Sequence, residues 1–189
     1  MERCLLLEER RQERLRLRQQ RVQLWTCRER AAVLWLHRAV GIPSVLALFA
    51  LVSRVGDGIA WYAVMASLPL TSGGWKVSLY MVALGAVNLV FYKALKLHTA
   101  RPRPFVDCTD IRACARCLDE HSFPSGHTMH AVAFSMLLSH FYPAVEPLLW
   151  GFTTLVALSR VVLGLHYPSD VLAGAVIGVV TAGFFLVVV

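Results

Sequence analysis

Three short clusters of charged and hydroxyl-bearing residues interrupt a chain that is otherwise strongly apolar. The first is Lys96-Leu-His-Thr-Ala-Arg-Pro-Arg103-Pro104, the second Pro124-Ser125-Gly126-His127. The third is Ser159-Arg160, followed after five residues by His166 and after three more by Asp170. Lys96, Arg103 and Arg160 are three fixed positive charges. An Arg side chain offers a planar fork that matches phosphate oxygens, and a Lys offers a point charge. Ser125 and Gly126 open an apolar helical run, and a helix N-terminus favours an anion through its free N–H groups and its dipole. Gly126 also admits close backbone approach. The ligand that this set describes is a phosphate.

His166 and Asp170 are four residues apart. A carboxylate beside an imidazole fixes its tautomer and stabilises its cation, which leaves the other ring nitrogen usable as a nucleophile. Pro168 favours a turn between them, so helical spacing is not assured. His127 can then protonate a leaving oxygen. Two histidines, one with a carboxylate partner, suit a two-step transfer through phosphohistidine. No carboxylate cluster suited to Mg²⁺ is visible, so no metal and no cofactor are expected. Arg and Lys would supply the charge stabilisation that a metal otherwise gives.

The elements that must carry these clusters are membrane helices. Of 189 residues, 57% are hydrophobic and 16% charged, with a mean hydropathy of +0.56. Soluble domains run to about 45–50% apolar and about 25% charged, so the composition argues against a soluble globular protein and rules out a disordered one. The expected fold is all-α, a polytopic transmembrane bundle with apolar segments at 31–53, 58–70, 75–92, 128–142, 147–163 and 170–189. A crossing takes about 20 residues. Segment 58–70 is short, and Arg54-Val55-Gly56-Asp57-Gly58 breaks the pattern before it. The expectation is six membrane segments if 31–53 and 58–70 both cross, and five if they do not. Counting crossings puts all three clusters on one membrane face.

Of the net charge of +7, +5 lies in residues 1–38, where ten Arg face five Glu. That distribution reads better as a basic amphipathic helix or an orientation signal than as a nucleic-acid surface. Leu15, Val22 and Trp25 share a stripe, so the segment is either a solvated helix laced with Glu–Arg pairs or one lying on anionic headgroups. Residues 1–38 are taken as an N-terminal segment and 39–189 as the membrane domain. Cys108, Cys114, Cys117 and His121 have a spacing that zinc or a disulfide could use, and free thiols are the third option.

Taken singly, the cluster residues have plainer readings. Lys96 and Arg103 could be snorkelling anchors, His127 an interfacial histidine, and Arg160 and Asp170 a structural ion pair. Together, Lys-x6-Arg-Pro, Pro-Ser-Gly-His and Ser-Arg-x5-His-x3-Asp resemble the three-part signature of the type 2 phosphatidic acid phosphatase (PAP2) superfamily at every position. The resemblance implies an integral membrane phosphatase acting on a lipid phosphate or diphosphate. Undecaprenyl diphosphate, phosphatidate and phosphatidylglycerophosphate are the leading candidates. It implies His166 as nucleophile, Asp170 as its partner and His127 as general acid. Lys96, Arg103, Ser125, Gly126 and Arg160 would bind the phosphoryl group. The chain looks most like bacterial members, and the usual orientation of the family places the site on the outer face of the inner membrane. A non-catalytic lipid-phosphate binder and a vanadate-dependent haloperoxidase are the competing readings. The intact histidines argue against the first and the hydrophobic spans against the second.

Overall fold

The computed structural model describes residues 26–117 and 119–188, and the described residues are helical without a strand. Most of the expected basic N-terminal helix, residues 1–25, lies outside the described residues. The first helix, α1, spans 26–37 and passes through a 3₁₀ turn, Arg38–Gly41, into α2, Pro43–Arg54. The expected apolar segment 31–53 is therefore two helices. Pro43 is the reason: it occupies the start of α2, while Ile42 before it is extended at φ −94°, ψ 114°, as residues preceding proline prefer.

The break expected at 54–58 is not a loop. Val55–Ile59 form one π-helical turn, with Gly58 at φ 118°, and lead into α3, Ala60–Ser67. A 3₁₀ turn, Leu68–Leu70, completes this run. Residues 43–70 thus make one kinked apolar run in place of two separate segments. α4 spans Gly74–Thr99, two turns beyond the expected 75–92, because Lys93-Ala-Leu-Lys-Leu-His98 are all helix-compatible. It stops at Ala100, which is left-handed at φ 45° just ahead of Arg101-Pro102. α5 is the short turn Pro104–Asp107. α6 (Gly126–Phe141), α7 (Glu146–Val162) and α8 (Pro168–Val188) follow. Among the described residues, four helical runs are long and apolar enough to cross a membrane: Pro43–Leu70, Gly74–Asp107, Pro143–Val162 and Pro168–Val188. α6, at 16 residues, is the shorter helix in their midst.

α6 is central because its neighbours let it be. Against α8 the backbones nearly touch: a Cβ at Gly174 would stand 2.5 Å from Ser125 O, and one at Gly178 2.6 Å from Met129 O. Small residues one turn apart allow this approach between membrane helices. Towards α7, Ser135 Oγ and Thr153 Oγ1 are 2.7 Å apart. Towards α3, Phe134 meets Trp61 with ring centroids 5.3 Å apart. Met81, Leu84, Phe134, Leu137 and Val156 fill the core. A second apolar cluster, Val33, Ile111, Val161 and Tyr167, ties α1 and the 108–124 loop to the turn between α7 and α8. Cys108, Cys114 and Cys117 in that loop are free thiols.

Candidate active site

The α7–α8 turn folds back on itself. Leu165 N and His166 N both donate to Arg160 O at 3.0 Å, which turns the His166 ring inward between Arg160 and Arg103. Arg103 is positioned by the 101–104 strap after α4. Its Nη1 donates to Leu165 O at 2.9 Å and lies 3.3 Å from His166 Nε2, and its Nε donates to Asp119 O at 3.0 Å. Lys96, on the last turn of α4, donates to His121 O at 2.8 Å and lies 3.1 Å from Asp119 Oδ2. Arg160 reaches Ser53 Oγ on α2 at 2.5 Å, while its buried Nε has no partner among the described residues. Three buried cations thus converge on His166. Buried donors left unpaired at such a point are groups ready for a ligand.

His166 Nδ1 is 3.6 Å from Asp170 Oδ2, beyond hydrogen-bond length, and catalytic contacts often tighten only when substrate binds. Asp170 is itself held by Arg101 Nη1 at 2.6 Å and by Tyr167 N–H at 2.8 Å. Arg101 donates to Glu29 on α1 at 2.5 Å and lies over the Tyr167 ring at 4.3 Å. Burial, reinforced by the Arg160 and Arg103 charges, holds the His166 imidazole well below its ordinary pKa. The ring is therefore neutral, with a lone pair available.

One cavity of about 620 Å³ collects Lys96, Arg103, Gly126, His127, Arg160 and His166. Ser125 and Asp170 are fully buried behind its surface. The Ser125 hydroxyl faces Thr128, 3.0 Å from Thr128 Oγ1, and caps α6. From the cationic end the cavity continues between α3 and α4 along Trp61, Met65, Val82, Leu89 and Phe134.

Four residues near these groups were not expected from the sequence. Asp57 contacts His127 Nε2, Asp119 pairs with Lys96, and Arg101 and Glu29 support Asp170. A carboxylate inside an apolar stretch was the available signal for Asp57, since such charges are costly near a membrane. Glu29 carried none, being one acid among many Arg.

A family model described as the PAP2 superfamily matches residues 73–189. The chain belongs to the PAP2 superfamily. It is 27% identical over 184 residues to lipid phosphate phosphatase delta of Arabidopsis thaliana, covering 82% of this chain and 44% of that protein. It is 34% identical over 107 residues to undecaprenyl-diphosphatase BcrC of Bacillus subtilis, covering 57% and 55%. The chain thus spans about half the length of these curated relatives. Among solved structures, Aquifex aeolicus LpxE superposes with a TM-score of 0.69 at 25% identity, covering 77% of this chain and 87% of that one. The four long apolar helical runs among the described residues of this PAP2 protein fit an integral membrane protein.

Proposed function

We propose that this chain is a phosphatase that hydrolyses a phosphomonoester or diphosphate of a membrane lipid through a phosphohistidine intermediate. The observation that carries this reading is the joining, in one cavity, of a cation-lined polar end to an apolar groove between α3 and α4. A phosphoryl group fits the first and a lipid tail the second. In the proposed reaction His166 Nε2 attacks phosphorus and the bond to the leaving oxygen breaks, the lipid oxygen in a monoester and the bridging oxygen in a diphosphate. That oxygen keeps the electron pair and takes a proton from His127. Water then attacks phospho-His166, giving its proton back to His127, and phosphate leaves. Asp170 supports the imidazolium. Lys96, Arg103, Arg160 and the N-terminal amides of α6 from Gly126 onward bind the phosphoryl oxygens, while Ser125, whose N–H donates to Asp170 O at 3.0 Å, caps that helix end behind them. With three cations at the site, the reaction is proposed to need no metal.

Undecaprenyl diphosphate, phosphatidate and phosphatidylglycerophosphate are the candidate substrates, and the undecaprenyl-diphosphatase relative supports the first. Residues 39–189 are proposed as the phosphatase domain and 1–38 as its N-terminal segment. The proposed location is a bacterial inner membrane, and the usual orientation of the family supports an outward-facing site. Residues 26–37 then share that face, because Glu29 bonds Arg101 and Ser169 N. A reporter fused after residue 189 reads cytoplasmic in this arrangement. An extracytoplasmic reading places the site inside, as the Arg excess of residues 1–38 would by the positive-inside rule.

The direct test is phosphate release by the detergent-purified protein with EDTA present, on the three lipids, with His166→Ala alongside. Release that vanishes in the variant is expected. Release that survives the substitution sinks the phosphohistidine reading. Release only without EDTA sinks metal independence. No release from any lipid by a folded sample would leave a phosphate-binding role in its place.

A further inference from the structure

The π-helical turn between α2 and α3 performs no function in the scheme above, yet it carries a carboxylate to the site. Val55-Gly56-Asp57-Gly58-Ile59 adds one residue to an otherwise α-helical path, and single π-turns of this kind occur often at functional sites. Its geometry depends on the glycines. Gly58 sits at φ +118°, a conformation that L side chains rarely adopt, and a Cβ there would stand 2.8 Å from the Tyr62 ring. A Cβ at Gly56 would press on Val156 of α7 at 3.0 Å. Between them, Asp57 lines the cavity and its Oδ1 meets His127 Nε2. The same run of chain, through Ser53, receives the Arg160 guanidinium. Asp57 is therefore aimed at the site by a turn that closes on α7 on one side and on Tyr62 on the other.

We propose that Asp57 is the positioning residue for His127, so that the site holds two histidine–carboxylate pairs, one on the attacking side of the phosphorus and one on the leaving side. The proposal rests on the phosphatase reading. His166–Asp170 serves the attacking side. Asp57–His127 serves the leaving side: the carboxylate accepts a hydrogen bond from Nε2–H, which leaves Nδ1 as the nitrogen that faces the lipid oxygen. When the phosphorus–oxygen bond breaks, that oxygen takes the electron pair and the Nδ1 proton. His127 becomes neutral and keeps its Nε2 proton against Asp57. In the second half, Nδ1 accepts the proton of the attacking water. A carboxylate stabilises the cationic donor and holds its ring orientation, as in other histidine–carboxylate pairs.

The test compares leaving groups. A lipid alkoxide needs a proton to depart, and p-nitrophenolate does not. Asp57→Asn keeps the shape and removes the charge. It is expected to lower kcat/KM on phosphatidate, which reports the steps up to departure of the lipid oxygen, by on the order of 10²-fold. The loss on p-nitrophenyl phosphate should be at least tenfold smaller. Asp57→Glu restores a carboxylate and should recover part of the loss on phosphatidate. Since Asp57 acts through His127, its substitution in a His127→Ala background should cost less than about threefold. Equal kcat/KM losses on both substrates, no loss on either, or full additivity with His127→Ala would overturn the role of Asp57. The double-substitution comparison needs only the lipid substrate, and a Tm measured on each variant separates misfolding from lost chemistry. A wild-type protein silent on lipid and aryl phosphates alike defeats the phosphatase reading itself. An active wild type with an indifferent Asp57→Asn defeats this inference alone.

Discussion

The two walls of the cavity are built differently. One wall, made by α6, the end of α7, α8 and the turn between the last two, is locked. Ser125 and Asp170 are 0% exposed, and Arg160 and His166 are 1% exposed. Its helices meet backbone to backbone at Gly174 and Gly178. The other wall, made by α3 and α4, is looser and apolar, with Tyr62 71% exposed and Trp61 Nε1 lacking a partner among the described residues. Groups that must hold a transition-state charge gain from rigid, dry surroundings, because preorganised dipoles need no rearrangement during reaction. A surface that receives a lipid tail needs area and little else. In the proposed reaction, chemistry and substrate choice fall on separate walls, and substitutions on each wall should show it.

The largest effect is expected on the locked wall. His166→Ala should lower turnover of every substrate by at least ~10³-fold, because without a nucleophile no leaving group helps. Single-turnover phosphate release checks it, and a variant that kept aryl phosphate turnover would break the comparison. Arg160→Ala should cost about 10²–10³-fold in kcat, the size of losing one oxyanion-type donor. A steady-state assay that found only a higher KM would reduce Arg160 to ground-state binding. On the apolar wall, Ala86→Trp should raise KM for long-chain lipid phosphates by about tenfold while sparing a water-soluble phosphate ester, since Ala86 lines only the groove. Equal effects on both esters would mean that the walls are not separable.

The packing of the locked wall has its own signature. Gly178→Val places side-chain atoms against Met129 O and should destabilise by roughly 1–3 kcal/mol, read as a lower Tm in detergent. The smallest effect concerns pH. His166 is held neutral by burial and by neighbouring cations, so protonation favours the unfolded chain. The sign follows: the contribution of His166 to stability is intact above its unfolded pKa of about 6.5 and is lost as pH falls below it. Tm should drop between pH 7 and pH 5, and His166→Asn should flatten part of that drop. An unchanged slope would mean that the imidazole is not shielded.

The sequence showed the locked wall far better than the loose one. Every cluster residue there is a charged, hydroxyl or small residue standing out against apolar helices, and crossing order alone put Lys96, His127 and His166 at one end of the bundle. Such contrast is what makes a membrane-embedded site readable. The path of residues 31–70 is obscure in the sequence for the opposite reason. Pro43 and the glycines around Asp57 both look like segment ends. Only tertiary packing decides that Pro43 starts a helix and that Gly56 and Gly58 bend one without ending it. Asp119 and Glu29 act through contacts with residues distant in sequence, Lys96 and Arg101, and no local spacing encodes such pairs.

In the proposed reaction the phosphoryl group passes to His166 on the locked wall. Rapid quench of the purified protein with ³²P-phosphatidate tests it most directly, followed by assay of protein-bound label for the alkali-stable, acid-labile behaviour of phosphohistidine. The expected result is transient label in the wild type, none in His166→Ala, and longer-lived label in His127→Ala. Turnover without label, or label that persists in His166→Ala, would contradict it.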